Sequence, residues 1–432
     1  METIIFIGVN KSGSSREAIK AAERLGYYTV LFTNRKKQLI QREQYPDVHQ
    51  MILTDTVDLL EMKKHLKTLQ QRGHEICLIT SFVDQNVHTA TILADEYCQN
   101  VLSKKAIEIM ENKEQTRTFF EEESFTPNFV LLSPIQNVDT IFLHNKLSFP
   151  LMLKSPKSGG SKDAILVENM EQLRYEVKGL RELYPEETFI IEEFIVGDQY
   201  LVEAIVYQSR IIPIAVIEQE ITKGMRFIVT GYGVMSEIPI HIEREVTKVV
   251  KGVVNKLEIK NGGLHLEMRL TEQGMKLIEV NPRISGGAMN DMLEAAFGFS
   301  LVEETLKLYL GQAPALTKRR NLAVYTKYVI IPNHGILKKV TGKGRAKHSI
   351  GVVKVYVKPK KGTFLHPPLS MGHRYAYVIA SAQSLVEAEK LAVQGANEIE
   401  FHLEKDETPL KGLDVEHKYA QLQTNEIRSK EE

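Results

Sequence analysis

Cysteine, net charge and long apolar runs are all scarce in this chain. Only Cys77 and Cys98 occur in 432 residues, in no ligand-like spacing, so a disulfide framework or cysteine-held metal does not organise the fold. Two buried free thiols of a cytosolic protein are the expectation. Lysine and arginine number 55 against 55 acidic residues, so no global field draws the chain to nucleic acid or to a membrane surface. No apolar run reaches spanning length. The amino terminus lacks a basic region followed by an apolar core and cleavage site, which points to a cytoplasmic protein. Internal repeats and low-complexity domains are absent too. What remains is a chain long enough for two or three domains with proper cores.

The most informative stretch runs from Gly263 to Gly287. Two strands joined by a polar turn at Gln273-Gly274 are the local expectation. Side chains two apart share a strand face, so His265, Glu267 and Arg269 line up. Glu279, Asn281 and Arg283 do the same on the partner segment, with Leu277 before them. Leu264, Leu266, Met268, Ile278 and Val280 take the other face. A face that gathers two carboxylates, an amide and an arginine suits magnesium held against a polyphosphate. Magnesium takes a few protein oxygens, here from Glu267, Glu279 and Asn281, and completes its octahedron with water and phosphate. Arg283, always charged, can clamp a transferring phosphoryl group or an oxyanion. The alternative is a solvated hairpin face with cross-strand ion pairs.

Upstream, the pattern alternates strands near 3–9, 28–33 and 76–80 with helices near 16–25 and 57–71, which implies a parallel sheet with covered faces. The loop Asn10–Ser15 does not match the dinucleotide fingerprint. Residues 103–123 read as one charged amphipathic helix carrying Lys113. Lys154 ends the apolar strand Pro150–Lys154, where an unpaired ammonium is costly, so an anion is expected beside it. The small-residue loop Ser155–Lys162 follows, and the backbone amides near Gly159, Gly160 and Ser161 can cradle phosphate oxygens. Further on, Glu192-Glu193-Phe194-Ile195 ends an apolar strand before Gly197. A carboxylate and backbone groups there can recognise an adenine edge.

Taken in order, these elements resemble the ATP-grasp ligases, and the resemblance extends from the first α/β unit to about residue 404. It implies an α/β (α+β ATP-grasp) fold: a Rossmann-like domain over 1–102, an ATP-grasp domain over 103–315 with a small mobile lid at about 127–195, a β-rich lobe over 316–405 and a polar tail over 406–432. It also implies ATP contacts from Lys113, Lys154, Ser155, Gly159, Gly160, Ser161, Glu192, Glu193, Phe194, Ile195, Gln199 and Glu203. The metal, magnesium with manganese as substitute, falls to Glu267, Glu279 and Asn281. One departure is Gln199, where the family often has a glutamate that contacts ribose; an amide still hydrogen-bonds a hydroxyl.

Leu264–Leu270 and Gly286-Gly287 look closest to ligases that join L-amino acids into dipeptides; biotin-carboxylase-like and carbamoyl-phosphate-type members are similar over the same length. The implied chemistry is attack of a substrate carboxylate on the γ-phosphoryl of ATP, then attack of an amine on the acyl phosphate. Catalytic roles fall to Arg283, Lys154 and Lys223, and substrate contacts to Arg226, His265, Arg283, Gly286 and Gly287. His265 is alternatively a hydrogen-bonded packing residue. Residues 218–238 read as a loop over the site, with Tyr232 and Met235 in an apolar wall. Small-molecule substrates and a homodimer are the partners the resemblance implies. Activation of bicarbonate or another acid, and a nucleotide-binding regulator without turnover, are the competing readings.

Overall fold

The computed structural model describes residues 1–140, 147–155, 164–223, 227–368 and 371–404. The expectations for Gly159, Gly160, Ser161, Arg226 and the tail from 406 lie outside them, as does the side chain of Lys223.

The chain begins with a four-stranded sheet of β1 (Glu2–Ile7), β2 (Tyr28–Thr33), β3 (Gln50–Leu53) and β4 (Glu75–Thr80), in the order β3-β2-β1-β4. All its pairings are parallel. β1 and β2 are buried almost throughout, as near-continuous apolar strands in a helix-covered sheet should be. The sequence reading missed β3, a short edge strand that is only partly buried and carries no full period of alternation. The helix Ser14–Arg24 packs Ala18, Ile19, Ala21 and Ala22 into a core that also holds Met292, Leu306 and Ile379, so the first unit and the rest share one apolar cluster.

The segment expected as one helix over 103–123 is two, Lys104–Glu111 and Lys113–Phe119. Asn112 is extended between them, and its side chain accepts from the Gln115 amide at 3.1 Å, an N-cap that starts a new helix. Lys113 is thereby the first residue of a helix rather than part of a continuous rod.

A second four-stranded sheet, order β5-β8-β6-β7, is built from β5 (Phe129–Leu132), β6 (Leu151–Lys154), β7 (Ala164–Val167) and β8 (Phe189–Glu193). The helix Met170–Leu183 covers it through Leu173, Val177 and Leu180. Next come β9 (Asp198–Tyr207), β10 (Arg210–Lys223), β11 (Phe227–Val234), β12 (Gly262–Thr271), β13 (Gly274–Asn281), β14 (Ala323–Val329), β15 (Gly335–Thr341), β16 (Val352–Val357), β17 (Phe364–Leu365), β18 (Ala376–Ala382) and β19 (Glu400–Glu404). Eight of them form one sheet, order β13-β12-β9-β10-β11-β14-β18-β16, and β17-β15-β19 form a small one.

Residues 218–238 are therefore mostly not a loop. β10 and β11 are antiparallel neighbours in the middle of the large sheet, with Ile217, Val229 and Val234 buried. The glycines that suggested a loop have a packing cause: a Cβ at Gly231 would strike the Tyr325 hydroxyl, and one at Gly233 would press on Leu385 at 2.8 Å. The basic stretch 338–347 is the end of β15 followed by the helix Lys343–His348. Among the described residues no helix is long and apolar enough to cross a membrane.

Candidate active site

β12 and β13 form the expected hairpin, with His265 opposite Asn281 and Glu267 opposite Glu279. One residue later the register shifts, and Met268 faces Leu277. Ile278 is thus the extra residue of a bulge, which re-aims side chains on its strand. Leu277, expected beside Glu279, is 1% exposed in the apolar core instead. Ile278, expected in that core, lines a pocket with Lys113, Arg117, Lys154, Ile190, Glu192 and Glu279.

The pocket is organised by a buried triad. Arg117 Nε donates to Glu192 Oε2 at 2.8 Å, and Lys154 Nζ donates to Glu192 Oε1. Arg117 also donates to the carbonyl of the bulged Ile278 at 2.7 Å. The side chains are 5%, 2% and 14% exposed for Arg117, Glu192 and Lys154, so each charge depends on its partners. Burial alone would raise the Glu192 carboxyl, but Arg117 and Lys154 outweigh it and hold it down at about 2. Burial pulls the Lys154 ammonium below its ordinary value despite Glu192.

Glu192 and Glu193 do not present carboxylates to a base. Glu192 is consumed by two cations. Glu193 accepts from the backbone and side-chain nitrogens of Asn128 at 2.9 and 3.0 Å. Past them, Arg269 stacks over Phe194 at 5.4 Å and donates to Ile195 O at 2.5 Å and to Gln199 Oε1 at 3.0 Å. Gln199 Nε2 in turn reaches Glu267 at 3.4 Å. Arg269 therefore ties the 194–199 connector to the hairpin, a role its place in the sequence did not suggest. Ser155 is buried directly after β6.

The paired carboxylates of the hairpin lie against these cations. Burial, then the charge of Glu267, raise the Glu279 carboxyl, while Lys113 and Lys154 oppose the rise. Glu267 is lowered: burial works against ionisation, but His265 and the two lysines outweigh it. Two facing carboxylates that repel each other, with the Asn281 amide two residues on, form the oxygen set that fits magnesium and not a closed protein cage. Among the described residues no group of three or more His, Cys, Asp and Glu is placed to hold a metal.

Glu203, expected among the ATP contacts, is fully buried elsewhere. Its Oε1 meets His265 Nδ1 at 2.6 Å and its Oε2 accepts from the Ser285 amide at 3.1 Å, so both oxygens are engaged within the protein and the side chain is out of a ligand's reach. Burial would lower the His265 imidazole, but Glu203 and then Glu267 lift it to about 10. His265 is thus a buried imidazolium that orients Glu203 and, at 3.8 Å, Glu267. Arg283 binds Asp84 of the loop after β4 and donates to Ile284 O at 2.8 Å. Asp84 was not foreseen, because it comes from a separate unit 199 residues away. Gly286 and Gly287 follow Ser285, whose carbonyl accepts from the Ser14 hydroxyl. A Cβ at Gly13 would lie 2.7 Å from the Gly287 nitrogen, so the loop after β1 rests directly on this turn.

Most of the lysine- and arginine-lined pocket, with both of the paired carboxylates, lies within a stretch that matches a known domain. Residues 148–291 match the ATP-grasp domain, and the chain carries that domain. Residues 327–404 match the L-amino acid ligase C-terminal domain 2. The chain is 23% identical over 277 residues to the L-arginine-specific L-amino acid ligase of Bacillus subtilis, covering 62% of this chain and 66% of the relative. It is 25% identical over 283 residues to the uncharacterized protein y4rH of Sinorhizobium fredii, covering 64% of this chain and 57% of the relative. The matches thus span somewhat less than two thirds of these curated relatives. The L-amino acid ligase structure from Bacillus licheniformis superposes with a TM-score of 0.78 at 19% identity, over 94% of this chain and 99% of that one, and shows the shared fold.

Proposed function

We propose that this chain is an ATP- and magnesium-dependent carboxylate–amine ligase with an L-amino acid as carboxylate donor, acting on small molecules in the cytoplasm. The observation that carries the reading is the meeting of the Arg117–Glu192–Lys154 triad with Glu279 in one pocket, with Glu267 facing Glu279 across the hairpin. Cations for a polyphosphate and oxygens for its metal stand side by side. The matched ligase lobe over 327–404 favours amino acids over other acids.

The protein supplies position and charge, which is most of what phosphoryl transfer asks. Lys154 and Lys113 neutralise the phosphates, and Lys154 is held in place by Glu192. Glu267, Glu279 and Asn281 would hold magnesium, which would supply charge to offset that of the phosphates. Ile278 and Ile190 offer apolar surface, and with both carboxylates of 192–193 engaged, base recognition falls to the backbone of 193–195. A substrate carboxylate attacks the γ-phosphorus and ADP leaves, giving an acyl phosphate. An amine then attacks its carbonyl and phosphate departs. Arg283 and the amides of Gly286 and Gly287 stabilise the developing oxyanion. No protein nucleophile is required. Unit boundaries near residues 102, 315 and 405 follow from the same reading.

The test is ADP and phosphate release across a matrix of amino-acid pairs with ATP and magnesium, with mass spectrometry of the products. Release that depends on one pair, a product mass equal to their condensation, and loss of both in Glu279→Ala support the proposal. Measurable ATP binding with no release for any pair sinks the amino-acid reading.

A further inference from the structure

Glu203 is the one charged residue in the buried run Tyr200–Val206 of β9. A buried carboxylate is costly unless its oxygens are satisfied, and an apolar residue of similar volume would serve the sheet as well or better. No step of the reaction above uses Glu203. Its neighbours show what it joins. Cross-strand register sets Glu203 of β9, His265 of β12 and Asn281 of β13 in one row. The next row, two residues along on the same face, holds Leu201, Glu267 and Glu279. The Glu203–His265 pair therefore lies alongside all three oxygen donors proposed for the metal.

Each oxygen of Glu203 reaches a different part of the site. Oε1 meets His265 Nδ1 at 2.6 Å, and the other ring nitrogen of His265 lies 3.8 Å from Glu267 Oε1. Oε2 accepts from the Ser285 amide at 3.1 Å. Ser285 comes four residues after Asn281, so the chain leaving β13 crosses β12 to come back to β9. It passes over Gly263, where a Cβ would come within 3.0 Å of Ile284 Cγ2. Gly286 and Gly287 then continue the turn, and a Cβ at either would meet nothing within 4 Å. The turn is held from the sheet side by Glu203 and is open on the other.

We infer that Glu203 is a positioning residue that couples the metal site to the substrate turn: through His265 it sets the Glu267 carboxylate, and through the Ser285 amide it sets residues 285–287. Metal nucleotide on the hairpin then favours the ordered turn that the carboxylate donor meets, and by linkage the donor favours the metal nucleotide to the same degree. This rests on the ligase reading and adds synergistic binding of its first two substrates.

Hydrogen exchange of residues 283–288 in the full chain, with and without MgADP, reads the coupling without turnover. In the parent, MgADP should slow exchange there about tenfold or more, an ordinary size for coupling between two sites. Glu203→Gln removes the charge that ties both arms together. His265→Gln breaks the arm to Glu267 and leaves Ser285 its acceptor, which keeps the test open should Glu203→Gln fail to fold. In either variant Gln199 still faces Glu267 Oε2 at 3.4 Å, so MgADP binding read by calorimetry should persist while the slowing is lost. A merely structural Glu203 would change exchange equally with and without MgADP and leave their ratio as it was. That unchanged ratio in a folded variant, or no slowing in the parent, overturns the proposal. A parent that does not bind MgADP sinks the proposal and the ligase reading together. Slowing that depends on Glu203, with no ADP release for any amino-acid pair, upholds the coupling and sinks the ligase reading alone.

Discussion

Glu192→Gln removes the one anion that holds two buried cations. The Glu192 carboxyl falls from 4.5 to about 2 in the folded chain. At 1.36 kcal/mol per unit that shift corresponds to a net contribution of about 3 kcal/mol, what the attraction of Arg117 and Lys154 leaves after the cost of burying the carboxylate. The folded pKa is depressed, so the contribution is complete above about pH 4.5 and fades as pH falls through about 2. Deleting the anion at neutral pH also leaves Arg117 and Lys154 buried without it, a loss of about 3–5 kcal/mol in comparable sites. A chain of this size does not unfold in two states, so the readout should be local. Native-state hydrogen exchange of the β6 and β8 amides should speed up about 100-fold or more in Glu192→Gln, if opening of the small sheet is what exposes them. Replacing the whole triad, with Arg117→Met, Lys154→Met and Glu192→Leu together, should recover most of that protection while abolishing ATP binding. Exchange in Glu192→Gln within a factor of about two of the parent would refute the reasoning, because the anion between two buried cations cannot be removed silently while both remain.

Other outcomes follow from single contacts. Gly197 has φ +151, and a Cβ there would collide with the Leu270 carbonyl, so Gly197→Ala should cost about 2–4 kcal/mol and lower the thermal midpoint by several degrees. Asp84 is 58% exposed in its pair with Arg283, so Asp84→Ala should cost less than about 1 kcal/mol in a thermal-shift assay while changing KM for the carboxylate donor, because Arg283 loses a partner. Burial pushes the Cys98 thiol to about 11, so its labelling by a thiol reagent at pH 8 should be slow and should accelerate as pH rises or denaturant is added.

Local pattern carried much of this architecture. The His265/Glu267 and Glu279/Asn281 faces follow from strand period, and the cross-strand register aligns both pairs. Lys154 in an apolar strand predicted an anion, and Glu192 is that anion, though it was expected to read a base. Arg117 sits four residues after Lys113 on one helix face, a spacing that could have flagged it. Other features had no local signal. The bulge at Ile278 inverts the phase of β13, and strict alternation puts Leu277 and Ile278 on the wrong faces. The glycines of β11 look like a loop until Tyr325 and Leu385, distant in sequence, are seen to occupy the space beside them. Asp84 on Arg283 and Ser14 on Ser285 are contacts between units that only the assembled fold creates.

The acyl phosphate is the central claim, and an oxygen label tests it directly. With a donor amino acid carrying ¹⁸O in its carboxylate, ATP, magnesium and a productive amine, the account predicts one labelled oxygen in the released phosphate and ADP as the nucleotide product. Unlabelled phosphate, or AMP and pyrophosphate in place of ADP, would contradict it.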